Sequence, residues 1–129
     1  MSLAVSIKSL DFSYPKQPNA LFKNLDFEIG SGQRFGLFGP NGAGKTTLMN
    51  LMTGILKPSR GSVSLLGKSF SNSRKEILQQ VGFVPQELSY YEVLTPNENL
   101  DYFGACYGLS SKEIEANSNN ITTTAFALD

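Results

Sequence analysis

Several residue types are scarce or absent in this chain of 129 residues. Histidine is absent, so no residue of this sequence can supply an imidazole for catalysis or metal binding. With Cys106 as the single cysteine, the sequence allows no intramolecular disulfide and no zinc cluster. This cysteine usage favours a protein of the reducing cytoplasm. Its expected role is that of a small buried hydrophobic side chain. No apolar run is long enough to span a bilayer, and the N-terminus lacks the charged-then-apolar pattern of a signal segment.

Net charge is also absent, because eleven Lys/Arg balance eleven Asp/Glu. The charges are unevenly placed: residues 1–86 hold ten basic and four acidic side chains, whereas residues 87–129 hold one basic and seven acidic. A basic first part suits a phosphate-bearing ligand, but no stripe typical of a nucleic-acid interface occurs. The acidic second part is consistent with an ordinary solvated face. The length and the 40% hydrophobic content fit one domain, or part of one, with a real core.

The glycine-rich stretch GPNGAGKTT at residues 39–47 carries the most specific signal in the sequence. It fits the phosphate-loop (P-loop, or Walker A) pattern G-x-x-x-x-G-K-[ST], with Gly39, Gly44, Lys45 and Thr46 at the required offsets. Glycines let backbone N–H groups form a concave nest for phosphate oxygens, and a helix N-terminus adds the positive end of its dipole. The pattern predicts a nucleoside triphosphate site in which Lys45 contacts the β- and γ-phosphates and Thr46 holds Mg²⁺.

The periodicity around the loop agrees with this interpretation. Residues 33–38 are predicted to form a short strand before the loop, and residues 45–56 a helix after it with apolar side chains along one face. Elsewhere, alternation and turn signals predict strands at 5–10, 21–29, 62–66 and 81–85, and helices at 74–80, at 96–107 and from Ser110 onward. The segment 117–124, rich in Asn and Thr, is expected to make a poor helix interior.

Three motifs in this order resemble the ATP-binding subunit of ABC transporters: Tyr14, the loop at 39–47 and the run VGFVPQE at 81–87. The later text LTPNENLDYFGACYGL is similar to bacterial ABC exporters in which the ATPase is a separate polypeptide. The resemblance implies an α/β fold of the P-loop NTPase type, with N-terminal antiparallel strands, a strand–helix core around the P-loop and the start of a helical subdomain. The implied division places the first part of the nucleotide-binding core at 1–86 and the start of the helical subdomain at 87–129.

The resemblance also implies a role for each matching residue. Tyr14 corresponds to the aromatic residue that stacks on adenine, with a tyrosine of the strand-end core as the alternative. Gln86 corresponds to the glutamine that contacts Mg²⁺ and the attacking water, with a plain surface glutamine as the alternative. Catalytic roles fall on Lys45 and Gln86, metal binding falls on Thr46 and Gln86, and the cofactors are ATP and Mg²⁺. The ATP-binding residues are Tyr14, Asn41, Gly42, Ala43, Gly44, Lys45, Thr46 and Thr47.

The sequence departs from the family pattern in its second part. It lacks an L-S-G-G-Q signature, an apolar strand ending in Asp-Glu, and a histidine beyond that strand. In the family, the signature serves the partner's ATP, the Asp holds Mg²⁺ and the Glu acts on the attacking water. The chain is therefore expected to be the front part of such a subunit, which retains the phosphate cradle but hydrolyses ATP poorly or not at all. The missing strand predicts low stability or self-association through the truncated sheet.

The implied function is ATP binding and hydrolysis coupled to transport across a membrane. A permease subunit is expected to contact residues 87–100, and a second ABC subunit is expected to complete a dimer, with no nucleic acid bound. The chain would then lie in the cytoplasm, peripheral to the inner membrane. Two alternatives stay open: a non-transport ABC ATPase acting on ribosomes or DNA, and an inactive nucleotide-binding fragment. A GTP-binding switch is disfavoured because no N-K-x-D motif occurs.

Overall fold

The chain forms two units, Met1–Phe83 and Val84–Asp129. The computed structural model describes residues 2–17, 19–87 and 89–126, and it describes side chains as far as residue 119. The boundary between the units lies three residues before the one that the resemblance implies for the functional division.

A four-stranded antiparallel sheet in the order β2-β1-β3-β4 is the framework of the first unit. The central strand β1 pairs with β2 on one side, where Ile7 lies opposite Phe27. It pairs with β3 on the other side, where Ile7 lies opposite Val63. The strands predicted at 5–10, 21–29 and 62–66 are confirmed. The strands span β1 Leu3–Phe12, β2 Phe22–Gly30, β3 Arg60–Leu65 and β4 Lys68–Ser69.

The core of this unit forms where the sheet meets α1, the helix Lys45–Met52 that follows the P-loop. Leu10 of β1 and Leu51 of α1 are 0% and 1% exposed and belong to the same buried cluster. Leu48, Leu51 and Met52 share one face of α1 because their spacing follows the helical period. The helix ends four residues earlier than predicted, since Gly54 adopts a left-handed conformation with φ 70° just beyond it. The position of α1 over the sheet therefore fixes the position of the P-loop.

Two predicted strands, at 33–38 and at 81–85, are wrong. Neither range takes part in strand pairing. A strand needs a neighbour for its backbone hydrogen bonds, and the described part of the chain places no strand beside either range. Phe38 and Val84 are 92% and 93% exposed, as expected for residues outside a packed sheet. The predicted strand–helix core around the P-loop is therefore present as a loop and a helix.

The helix α2, Phe70–Leu78, completes the first unit. The Ser69 hydroxyl accepts a hydrogen bond from the Ser71 N–H and caps the first turn. Ser73 then kinks the helix, with φ −133° and ψ 33°, and the part beyond the kink starts at the predicted residue, Arg74. Ile77 is the fully buried residue of this helix. Arg74 donates from Nη1 to the carbonyl of Gly54 at 2.9 Å, which ties α2 to the turn that ends α1.

Two helices make up most of the second unit: α3 spans Pro96–Cys106 and α4 spans Ser111–Phe126. Gly104 lets them approach closely, since a Cβ there would lie 2.6 Å from Cγ1 of Ile114. α4 runs through segment 117–124 despite its unfavourable residues, because each residue added to a started helix gains a hydrogen bond. Cys106 is exposed rather than buried as expected. Among the described residues, no helix is long and apolar enough to cross a membrane.

Both helices of the second unit begin with a reciprocal capping arrangement. The Glu98 carboxylate accepts from the Thr95 N–H at 2.7 Å, and the Glu113 carboxylate accepts from the Ser110 N–H at 2.8 Å. Hydrogen bonds from Thr95, the backbone one foremost, hold the pKa of Glu98 below its ordinary value. Those from Ser110, the side-chain one foremost, do the same for the pKa of Glu113. The predicted start sites of both helices are confirmed.

Candidate phosphate-binding site

Two glycines shape the P-loop through backbone conformations that other residues rarely adopt. Gly42 and Gly44 have φ angles of 82° and 90°, in the left-handed region. Space is also restricted at Gly44, where a Cβ would lie 2.9 Å from Cζ of Phe22 and 3.1 Å from Cδ2 of Leu21. Gly44 is therefore required both by its conformation and by the β2 side chain beneath the loop.

The N-terminus of α1 presents backbone donors with no side-chain acceptor on them. Gly44 is the N-cap residue and supplies no side-chain cap, and the first turn contains no acidic residue. The first intrahelical bond runs from the Leu48 N–H to the Gly44 carbonyl at 2.8 Å. The N–H groups before Leu48 therefore have no partner within the helix, and the dipole favours an anion at this end. This donor set fits a phosphate group.

Lys45 places a positive charge at the same end of α1. Its Nζ atom donates to the carbonyls of Gly39 and Pro40, each at 2.7 Å. An ammonium group has three donors, so one remains for a further acceptor. The side chain thus folds back over the loop that it belongs to, instead of extending into solvent. Lys45 and the α1 amides form one cationic cradle.

A pair of hydroxyl groups connects the loop after β1 to α1. The Tyr14 hydroxyl and Oγ1 of Thr47 are 2.9 Å apart, and either can donate. The Tyr14 ring is half-buried and packs edge-on to Phe12, with ring centroids 5.0 Å apart. Thr47 is buried, whereas Thr46 is exposed. The sequence motif places Thr46 and Thr47 side by side, but it contains no signal that Tyr14 would bond to one of them.

The metal-binding candidates fit Mg²⁺ better than a metal that needs an all-protein cage. Within the described ranges, no group of three His, Cys, Asp or Glu side chains could hold a metal ion. Mg²⁺ usually takes one or two protein ligands and completes its shell with waters and substrate phosphates. The exposed hydroxyl of Thr46 suits this role. Gln86 is also exposed, and it belongs to the second unit, so its predicted role stays a prediction.

Comparison with known proteins settles the family. Residues 22–127 match the family described as ABC transporter. The chain belongs to the ABC transporter family. A solved structure titled "Structure of ATP binding subunit of ABC transporter" superposes with a TM-score of 0.77 at 30% sequence identity, and the match covers 88% of this chain and 46% of that one. The predicted α/β fold of ABC type is thereby confirmed, even though two of its strands are not formed.

Curated members of the ABC transporter family show the same partial coverage. The linearmycin resistance ATP-binding protein LnrL of Bacillus subtilis is 37% identical over 72% of this chain and 30% of its own length. The ABC-type transporter ATP-binding protein EcsA of the same organism is 36% identical over 89% of this chain and 45% of its own. The Nod factor export ATP-binding protein I of Rhizobium meliloti is 34% identical, and the match covers 89% of this chain and 34% of that protein's length. The chain thus spans less than half the length of these relatives.

The two left-handed glycines give a matched test of the loop geometry. We expect Gly44→Ala to lower the free energy of unfolding by at least ~1 kcal/mol more than Gly42→Ala does, because only Gly44 adds a clash to the conformational strain. Gly42 has no atom within 4 Å of the position of a Cβ and serves as the control for strain alone. Urea unfolding of the two variants measures the difference. Equal losses would show that Phe22 does not restrict the loop.

Proposed function

We propose that this chain binds ATP with Mg²⁺ through residues 39–47, as part of an ABC transporter ATPase subunit that couples ATP binding and hydrolysis to transmembrane transport. The observation that carries the proposal is the contact of the Lys45 ammonium with the Gly39 and Pro40 carbonyls, beside the uncapped N-terminus of α1. A cation and the uncapped amides of α1 thus belong to the same short loop and helix start. An anion with several oxygens, such as a triphosphate, can accept from several of these donors at once.

The proposal gives each residue of the cradle a share in holding the nucleotide. Residues Asn41, Gly42, Ala43, Gly44, Lys45, Thr46 and Thr47 form the cradle for the phosphates, and the Lys45 ammonium contacts the β- and γ-phosphates. The Ala43 N–H donates to the Pro40 carbonyl at 3.2 Å and so helps to shape the loop. The exposed Thr46 hydroxyl would hold Mg²⁺, and the ion would supply positive charge for the phosphates. For Gln86, the proposed roles in binding Mg²⁺ and contacting the attacking water rest on the family resemblance alone. Tyr14 stacks on adenine. Its half-buried ring retains enough exposure for a base to reach it.

Substitution of Lys45 tests nucleotide binding directly. We expect Lys45→Ala to weaken the binding of Mg-ATP at least tenfold, or about 1.4 kcal/mol, because it removes the charge that faces the terminal phosphates. Isothermal titration calorimetry measures the affinity. Lys57→Ala is the control, since Lys57 is exposed beyond the other end of α1 and its loss changes the net charge equally. Equal affinities for the two variants would refute the proposal.

ATP turnover by the isolated chain is expected to be very low. Phosphoryl transfer depends on positioned charges, and this sequence has no L-S-G-G-Q signature, no apolar strand ending in Asp-Glu and no histidine. A phosphate-release assay on the purified 129-residue chain measures the rate. Hydrolysis that is well above background and is abolished by Lys45→Ala would contradict this expectation while supporting the nucleotide site.

For the partners, we propose a functional division into residues 1–86 and 87–129, with a permease contact near residues 87–100. Within that range Tyr90, Tyr91 and Val93 are 51%, 47% and 92% exposed, and such apolar surface favours a partner protein. One relative is named for Nod factor export, which supports a transport role. The proposed location of the chain is the cytoplasmic face of the membrane. A second ABC subunit and a second copy of this chain are further proposed partners. The exposed side chains of Phe35 and Phe38 support self-association of the chain.

Two measurements separate these partners. Co-purification with the permease from detergent-solubilised membranes should fail for Val93→Asp, because a charge in an apolar contact is costly to bury. Val84→Asp is the matched control, since it changes an equally exposed valine outside the 87–100 range.

Sedimentation velocity of the pure chain should show dimers or larger species, and Phe38→Asp should shift them towards monomer. Unchanged permease recovery with Val93→Asp, or a stable monomer at all concentrations, would remove the corresponding partner.

A further inference from the structure

The hydroxyl pair of Tyr14 and Thr47 joins two parts of the candidate site that lie 33 positions apart in the sequence. We propose that Tyr14 is a positioning residue for the phosphate cradle: its hydroxyl donates to Oγ1 of Thr47 and so leaves the Thr47 proton for a phosphate oxygen. This role is separate from stacking on adenine. It rests on the proposed nucleotide site and adds a direct route from Tyr14 to the phosphates.

The geometry allows either hydroxyl to donate, and the proposed direction is the one that lets Thr47 also donate to a phosphate. A hydroxyl group has one donor and two acceptor positions, whereas phosphate oxygens only accept. If Thr47 donated to Tyr14, it would have no proton left for a phosphate. If Tyr14 donates, Thr47 accepts through a lone pair and its own proton is free. Tyr14 as the donor thus fixes the position of the Thr47 hydroxyl without using the Thr47 proton.

The surroundings hold both hydroxyl groups in place. Thr47 lies in the first turn of α1 and is 7% exposed, so its side chain has little freedom to rotate away from Tyr14. The Tyr14 ring lies against Phe12, which is 5% exposed, and the Tyr14 carbonyl accepts from the Gln17 N–H at 3.2 Å. A ring that is already fixed loses little rotational freedom when its hydroxyl bonds. The pair is thus formed before any ligand binds.

Inorganic triphosphate with Mg²⁺ separates this role from base stacking, because it has phosphates and no base. We expect Tyr14→Phe to weaken triphosphate binding to the full chain about fivefold, the equivalent of ~1 kcal/mol for one hydrogen bond. Thr47→Val should weaken it at least as much. The double variant should lose no more than Thr47→Val alone, since Tyr14 acts through Thr47. Calorimetry gives all four affinities.

Two controls exclude a general loss of structure. Tyr102→Phe removes a tyrosine hydroxyl whose partner is Tyr91 in the second unit, and it should leave triphosphate affinity unchanged. Thr53→Val removes a threonine hydroxyl from the other end of α1, where it bonds to the Met49 carbonyl, and should also have no effect on affinity.

The outcomes distinguish this proposal from the function on which it rests. Equal triphosphate affinities for wild type and Tyr14→Phe, or additive losses in the double variant, would overturn the positioning role alone, provided that binding still depends on Lys45. Binding of ATP without binding of triphosphate would also overturn it, because the cradle would then not hold phosphates independently of the base. A wild-type chain that binds neither compound would overturn both proposals.

Discussion

The candidate site depends on the left-handed conformation of Gly44. At this residue the loop turns into α1, and the turn brings the backbone N–H groups and the Lys45 side chain to the same point. The ring of Phe22 lies directly beneath, so the turn also fixes the loop against β2. One glycine therefore links the sheet, the loop and the helix. A residue with a Cβ would disturb all three, through strain and through contact.

Local electrostatics at the start of α1 follow from that geometry. An ordinary helix covers its first N–H groups with a Ser, Thr, Asp or Asn side chain, as Thr95 and Ser110 do in the second unit. α1 does not, because its N-cap is a glycine and its first turn has no carboxylate. α1 therefore lacks the stabilisation that a side-chain cap would provide. The same absence keeps the amides free for an outside acceptor, and this is how a structural cost becomes a binding feature.

Sequence reasoning predicted well the elements that are stabilised by near neighbours. β1, β2 and β3 follow from alternation because each has an antiparallel partner among the described strands, and α3 and α4 start where their capping residues stand. It failed at 33–38 and 81–85, whose apolar residues satisfy the strand pattern but have no strand beside them. A period-two pattern indicates that a segment is able to pair. It contains no information on whether a partner is present.

The same distinction applies within the site. The P-loop motif identified Lys45 and the glycines, because a phosphate nest needs those residue types at fixed spacing. It did not predict that Lys45 would bond to the Gly39 and Pro40 carbonyls, nor that Tyr14 would reach Thr47, since these contacts arise from how the loop folds over itself and over β1. Tyr14 was identified by its resemblance to an adenine-stacking residue, a role that uses only its ring. Its hydroxyl contacts Thr47 on the helix that follows the P-loop, so the proposed sites for the base and for the phosphates are joined through α1. A movement of the Tyr14 ring would therefore change the position of the Thr47 hydroxyl.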